Sequence, residues 1–134
     1  MIGSRRPAPS PGDGTGERQK AYRWGLSAEG WAALYLQLKG FRILERRYRA
    51  PVGEIDLIAM RRGVIAFVEV KARADRLDAI EAVGSKSRRR IIAAASHWGS
   101  KYPQFADFSW RYDIIAMVPG RWPHHLPDAF RPGE

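Results

Sequence analysis

The sequence contains no cysteine and no long apolar run. The absence of cysteine excludes disulfide bonds and thiolate metal sites, and it makes a reducing compartment the default expectation. No apolar run approaches the roughly 20 residues that span a bilayer. The two arginines near the N-terminus are not followed by the apolar segment of a secretory signal. We therefore expect a cytoplasmic protein with no membrane partner.

Acidic residues are scarce relative to basic ones. The chain has 14 Asp and Glu against 23 Lys and Arg, which gives a formal net charge of +9. Such an excess suits a polyanionic partner, because each phosphate that the protein neutralises releases counterions. The alternative is a soluble protein that is basic without binding nucleic acid. The 134 residues are enough for one domain with a single hydrophobic core.

Composition divides the chain into three parts. Residues 1–20 are rich in Pro, Gly, Ser and Arg and have little to bury, so they are predicted to form a disordered basic arm. Residues 21–118 carry the periodic apolar segments of an α/β domain. Residues 119–134 are rich in proline and are predicted to form an irregular C-terminal tail.

Hydrophobic periodicity predicts the elements of the domain. A helix is expected between Ser27 as N-cap and Gly40 as its stop. Its buried face is predicted at four residues with helical spacing: Trp31, Leu34, Tyr35 and Leu38. The pattern continues with strands at 41–48, 54–60 and 64–71, a helical turn near 78–83, a long helix at 87–102 and a strand at 110–118.

The order α-β-β-β-α-β predicts a mixed central sheet flanked by helices. The short connection Arg61-Arg62-Gly63 predicts an antiparallel hairpin between the second and third strands. The long helix between the third and fourth strands favours a parallel pairing of those two. On the fourth strand, Asp113 is expected to pair with Arg111, which lies on the same face.

Three charged residues interrupt strands that otherwise have the composition of a buried sheet. Asp56 lies in the second strand, and Glu69 and Lys71 lie on one face of the third. A buried carboxylate is costly unless it is paired or binds a metal. The hairpin register would bring Asp56 beside Glu69, and these two side chains are predicted to bind Mg²⁺ or Mn²⁺, which often takes only one or two protein carboxylates. The alternative is a structural ion pair between Glu69 and Lys71.

Two further residues complete the predicted catalytic set of Glu29, Asp56, Glu69 and Lys71. The Lys71 side chain could orient an attacking water, deprotonate it as the neutral amine, or, as the ammonium, stabilise the transition state of phosphodiester hydrolysis. Glu29, at the start of the first helix, is a candidate second-metal or supporting acid. The alternative for Glu29 is a purely structural interaction with the positive helix N-terminus.

Basic residues crowd the predicted start of the second long helix. Cations are unfavourable there by roughly 0.3–1 kcal/mol each, because the helix dipole is positive at that end. A bound phosphate would reverse this penalty. A solvated basic face is the alternative. Nucleic-acid contacts are predicted at Arg73, Lys86, Arg88, Arg89 and Arg90.

Two sequence strings, GEIDLI at residues 53–58 and FVEVKAR at 67–73, resemble the YraN-like family of bacterial proteins. That family is part of the PD-(D/E)xK, or restriction-endonuclease-like, nuclease superfamily. The resemblance implies a core like that of Holliday-junction resolvases, with Asp56, Glu69 and Lys71 in the catalytic positions and Glu29 as the helical acid. It also makes a homodimer worth testing. Ser87 departs from the family pattern, which often has Lys or Gln at that position.

These observations predict a metal-dependent endonuclease that acts on DNA, including branched DNA. One alternative is a nucleic-acid-binding module with the same fold and no turnover. The other is a protein-interaction adaptor that uses residues 119–134 as a docking segment.

Overall fold

The computed structural model describes residues 26–133, which form a five-stranded sheet with helices on both faces. No helix among these residues is long and apolar enough to cross a membrane. The predicted disordered arm, residues 1–20, lies outside the described residues. In chain order the elements are α1 (Ala28–Leu38), β1 (Arg42–Ala50), β2 (Gly53–Arg61), β3 (Val64–Ala72), α2 (Arg76–Glu81), α3 (Ser85–Lys101), a 3₁₀ turn (Pro103–Phe105), β4 (Ser109–Met117) and β5 (His124–Phe130).

The strands lie in the order β1-β2-β3-β4-β5. Strands β1, β2 and β3 pair antiparallel in succession, β3 and β4 are parallel, and β5 is antiparallel to β4. Arg62 and Gly63, at the tip of the β2–β3 hairpin, both have positive φ, as a two-residue hairpin turn of this kind requires. The predicted α-β-β-β-α-β order, hairpin and parallel pair are confirmed, and they form a restriction-endonuclease-like α/β core.

The C-terminal tail differs from its prediction. Residues 119–134 were expected to be irregular, but His124–Phe130 form the edge strand β5. Pro127 lies in this strand, where proline is tolerated because the strand lies at the sheet edge. Phe130 is buried and stacks on Tyr112 of β4. The proline-rich composition concealed a strand that tertiary packing stabilises.

Two hydrophobic layers cover the sheet. Helix α3 packs Ile91 and Trp98 against one face, which includes Phe67. Ala95 of the same helix is also buried. Helix α1 packs on the opposite face, where its Leu36 meets Val68.

The face that α1 buries was predicted incorrectly. Leu34 and Leu38 are 40% and 74% exposed, whereas Ala32, Ala33 and Leu36 are buried. The small alanines allow the helix to lie close to the sheet, so backbone proximity rather than the largest side chains sets the buried face. Periodicity alone does not distinguish these two neighbouring faces.

The carboxylate of Asp113 is fully buried at the centre of a polar network. Arg111 donates to both of its oxygens at 2.9 Å, His125 donates to Oδ2 at 2.8 Å, and the backbone N–H of Asp128 donates to Oδ1 at 2.9 Å. Burial alone would raise the pKa of Asp113, but these hydrogen bonds outweigh it and hold the pKa below its ordinary value. The expected pairing with Arg111 is confirmed. The network also ties β5 to β4.

Asp113→Asn is expected to lower the free energy of unfolding at pH 7 by about 3–5 kcal/mol, because it removes one partner of a buried ion pair. A lowered folded pKa stabilises the protein above the unfolded value near 3.8, and this stabilisation is lost as the pH falls towards the folded value. The difference between wild type and variant should therefore shrink below about pH 4. Urea unfolding followed by circular dichroism at several pH values measures it.

Asp107→Asn is the matched control, because Asp107 is exposed and the substitution removes the same charge. Equal stability of Asp113→Asn and Asp107→Asn at pH 7 would contradict the structural role of the network.

Candidate active site

The central strands β2 and β3 separate at one end of the sheet. Their pairing runs from Arg61 opposite Val64 to Leu57 opposite Val68 and goes no further. Beyond this point β2 continues beside β1, and β3 continues beside β4 as far as Ala72. The result is a fork between two strands that are each still held by an outer neighbour. We refer to the space between residues 53–56 of β2 and 69–72 of β3 as the fork.

Asp56 lies where the fork opens. Its Oδ2 accepts a hydrogen bond from the backbone N–H of Val70 at 2.8 Å. The side chain thus replaces the backbone carbonyl that would accept this N–H if β2 and β3 stayed paired. Ile55 packs in the layer of α3, whereas Leu57 packs in the layer of α1, although regular alternation would put both on one face. The change of face is centred on Asp56 and turns its carboxylate into the fork.

Glu69 and Lys71 lie on the other arm of the fork. The Lys71 Nζ is 3.2 Å from Glu69 Oε2, and both side chains are largely buried. Burial, reinforced by the nearby charge of Asp56, raises the pKa of Glu69 to about 7, even though Lys71 opposes the shift. Burial also raises the pKa of Asp56, against the hydrogen bond from Val70. The two carboxyl groups therefore interact, and the charge of Asp56 makes ionisation of Glu69 more costly.

Glu29 stands beside this pair, in the first turn of α1, where the Ser27 side chain caps the helix by accepting the N–H of Gly30. Its negative charge contributes to the raised pKa of Asp56. Arg47 donates through Nε to Glu29 Oε1 at 3.0 Å, and Arg46 Nε lies 3.4 Å from Oε2. That second oxygen is buried and makes no hydrogen bond.

The pair of carboxyl groups suits a hard divalent cation. The charge of Asp56 raises the pKa of Glu69, and a cation between the two carboxyl groups would offset this repulsion. Oxygen ligands of this kind are those that Mg²⁺ and Mn²⁺ prefer. Within residues 26–133, no three Asp, Glu or His side chains converge on one metal position. Glu29 therefore does not join Asp56 and Glu69 in such a group.

The predicted nucleic-acid contacts divide into two kinds. Arg73 is exposed just beyond β3, and Lys86, Arg89 and Arg90 are exposed at the start of α3. Arg88 differs, because its Nε donates to the carbonyl of Val83 at 2.8 Å and its guanidinium lies over the Phe130 ring. Its charged group is therefore engaged within the fold.

The start of α3 is anchored near the fork by a glycine. A Cβ on Gly53 would lie 2.2 Å from the carbonyl oxygen of Arg90, so only glycine allows this close approach. Gly53 precedes Asp56 by three residues, about 10 Å along an extended strand. The N-cap of α3 is Gly84, which has no side chain to cap the helix. The basic first turns of α3 therefore lie at the same end of β2 as the carboxyl pair.

Sequence reasoning missed Arg46 and Arg47, the two residues that contact Glu29. Arg47 has a positive φ of 53°, and nothing in the sequence indicates that a non-glycine residue in a strand takes this conformation. A pair of adjacent arginines on an edge strand is also the usual pattern of a solvated surface, so composition gave no signal.

Comparison with known proteins gives a family for the chain. Residues 28–117 match the family described as Uncharacterised protein family UPF0102. The chain belongs to the UPF0102 family. The matched range extends from α1 to β4 and includes Glu29, Asp56, Glu69 and Lys71, and it confirms the predicted YraN-like membership.

UPF0102 relatives match over most of their length. One from Rhodopseudomonas palustris (strain BisB18) is 50% identical over 123 residues, which cover 92% of this chain and 91% of the relative. One from Agrobacterium fabrum is 54% identical over 114 residues, with 85% and 93% covered. One from Mesorhizobium japonicum is 52% identical over 113 residues, with 84% and 90% covered.

Glu69→Gln is expected to abolish stabilisation by divalent cations. An acid with a raised folded pKa makes the protein less stable as the pH rises from its unfolded value near 4.5 through about 7, because the buried group must then ionise. At pH 8 in EDTA the melting temperature of Glu69→Gln should therefore equal or exceed that of wild type. Millimolar Mg²⁺ or Mn²⁺ should raise the melting temperature of wild type only.

Glu54→Gln provides the control, since Glu54 is an exposed carboxylate on the neighbouring strand β2. It should respond to both ions as wild type does. A wild-type melting temperature that neither ion changes would show that the carboxyl pair does not bind them.

Proposed function

We propose that this UPF0102 protein is a metal-dependent endonuclease that hydrolyses phosphodiester bonds in DNA. The observation that carries the proposal is the largely buried pair of Asp56 and Glu69 in the fork, with the Lys71 ammonium 3.2 Å from Glu69. The net charge of +9 supports a polyanionic substrate. A cytoplasmic location is part of the proposal, since bacterial chromosomal DNA lies there.

Asp56 and Glu69 would hold Mg²⁺ or Mn²⁺ with one or two carboxylate oxygens each. When bound, such an ion supplies a Lewis acid for the scissile phosphate. Asp56 remains oriented for this role by the N–H of Val70, which also prevents the carboxylate from turning out of the fork. Both groups would have to be ionised to act as ligands, so activity should increase with pH through about 7, the pKa of Glu69.

Lys71 is suited to hold or orient the attacking water, or to stabilise charge that develops on the phosphate. Its contact with Glu69 keeps the ammonium at the carboxyl pair rather than in bulk solvent. Arg73 and the exposed basic residues at the start of α3 would hold neighbouring phosphates, which positions a duplex without reading its sequence. The two strand motifs resemble those of the Holliday-junction-resolvase-like nucleases. Branched DNA as a substrate and a homodimer as the assembly are proposed on this resemblance alone.

A purely structural role explains the site less well. A structural ion pair needs one acid and one base, but among the described residues the two carboxyl groups of Asp56 and Glu69 have one close cationic contact, from Lys71 to Glu69. Replacement of buried ion pairs by apolar residues is often neutral or stabilising, so stability alone gives no reason for this cluster. The docking-tail alternative is also weakened, because His124–Phe130 pair with β4 instead of forming a free segment.

Asp56→Asn is expected to reduce cleavage at least 100-fold while the fold is retained, because the amide oxygen can still accept the Val70 N–H but carries no charge. Purified protein with Mg²⁺ or Mn²⁺ is tested on duplex, single-stranded, flap and four-way DNA and on matching RNA. Light scattering on the same preparation reports the oligomeric state. Glu54→Gln is the matched control and should cleave as wild type does.

Equal cleavage by wild type and Asp56→Asn would overturn the assignment. Salt-dependent binding that survives Glu69→Ala, with no cleavage of any substrate, would favour the binding module without turnover. This second candidate is retained because residues 26–133 contain no group of three or more Asp, Glu or His side chains that could hold a metal ion.

A further inference from the structure

We propose that Arg46 and Arg47 are a phosphate-binding pair of this protein, and that Glu29 occupies the pair until DNA binds. The inference rests on the proposed function, since DNA is taken as the ligand. It adds a binding site on β1, and it gives Glu29 a role as an internal substitute for phosphate.

Two guanidinium groups converge on one carboxylate. Arg47 Nε is 3.0 Å from Glu29 Oε1, and Arg46 Nε is 3.4 Å from Oε2. Glu29 is only 12% exposed, whereas the arginine side chains are 52% and 62% exposed. The acid is therefore a buried anchor, and both cations keep a surface that a ligand from solvent can reach.

The backbone of β1 is distorted at this position. Arg46 lies opposite Leu57 and Tyr48 opposite Ile55, which places Arg47 opposite Asp56. Arg47 has a φ of 53°, in the left-handed region. In a regular strand Arg46 and Tyr48 would share a face, yet Arg46 contacts Glu29 of α1 while the Tyr48 hydroxyl contacts His97 of α3. The distortion turns Arg46 and Arg47 together towards Glu29.

The ion pairs do not account for the distortion. A non-glycine residue in a sparsely populated conformation costs of order 1–3 kcal/mol. Exposed ion pairs each contribute about 0–1 kcal/mol. The two pairs together gain about 0–2 kcal/mol, which is comparable to the strain, so the arrangement adds little to the stability of the free protein. Backbone strain of this kind is concentrated at functional sites.

A phosphate fits the pair because guanidinium forks match its oxygens, as they match a carboxylate. Arg47 lies on β1, opposite Asp56 of the neighbouring strand β2. A phosphate held by the arginine pair would therefore be adjacent to one at the carboxyl pair. When a phosphate binds both arginines, Glu29 loses its ion pairs with them. Its Oε2 accepts no hydrogen bond in the free protein. The usual alternative is that charged residues on an edge strand only prevent edge-to-edge pairing, which requires no particular partner.

The test measures binding of a fluorescein-labelled DNA duplex by anisotropy in EDTA, which prevents cleavage, at several salt concentrations. Arg46→Ala and Arg47→Ala should each weaken binding and lower the slope of log K against log salt by about 0.9. Arg42→Ala removes the same charge from the far end of β1, where Arg42 is exposed. Its effects on the affinity and on the slope should both be smaller. Glu29→Gln should tighten binding about two- to fivefold, because it removes the internal competitor.

Two further comparisons separate binding from folding. Arg47→Gly should leave the melting temperature at or above that of wild type, because glycine accepts a φ of 53° without strain, and yet it should weaken DNA binding. Glu29→Gln should no longer tighten binding once Arg46 and Arg47 are both alanine. Glu54→Gln controls for the loss of one negative charge.

If wild type binds DNA but Arg46→Ala and Arg47→Ala bind it as Arg42→Ala does, this inference is overturned. The proposed nuclease function would still stand. Weakened binding by these variants together with an absence of cleavage would support the pair and count against turnover. Wild type that binds no DNA at any salt concentration would overturn both proposals.

Discussion

The hydrogen bond from the Val70 N–H to Asp56 is the contact on which the site depends. It ends the β2–β3 ladder with a side chain instead of a carbonyl, so the strands can part without leaving a buried donor unpaired. The outer strands keep both arms of the fork rigid, since β2 remains paired with β1 and β3 with β4. Two acids and a lysine therefore face one another on paired strands rather than on loops.

Two buried acidic centres in this chain show opposite electrostatic designs. Asp113 receives donors from Arg111, His125 and a backbone N–H, and its pKa is lowered despite burial. Glu69 has one cationic partner and one acidic neighbour, and burial raises its pKa to about 7. The first arrangement stabilises the charged form and holds an edge strand in place. The second leaves the charged form short of a counter-charge, which is the condition for taking up a cation.

Much of the fold followed from local pattern. The hairpin at Arg62-Gly63 and the long helix between β3 and β4 have strong local signals, and both were predicted. Strand β5 was missed because its stability comes from Phe130 packing and from the Asp113 network, neither of which has a local signature. The buried face of α1 was misassigned because two neighbouring helix faces are both apolar.

For the candidate site, the sequence by itself determined which residues are present and that Asp56 lies beside Glu69, because a two-residue hairpin sets the strand register. Their roles as ligands and catalysts remain predictions. Only the tertiary structure decided where the strands part, that Arg88 is engaged by Val83 and Phe130, and that Arg46 and Arg47 meet Glu29. The contacts of Arg88 with Phe130 and of both arginines with Glu29 join residues far apart in the chain. The fork and the left-handed backbone at Arg47 leave no periodic trace in the sequence.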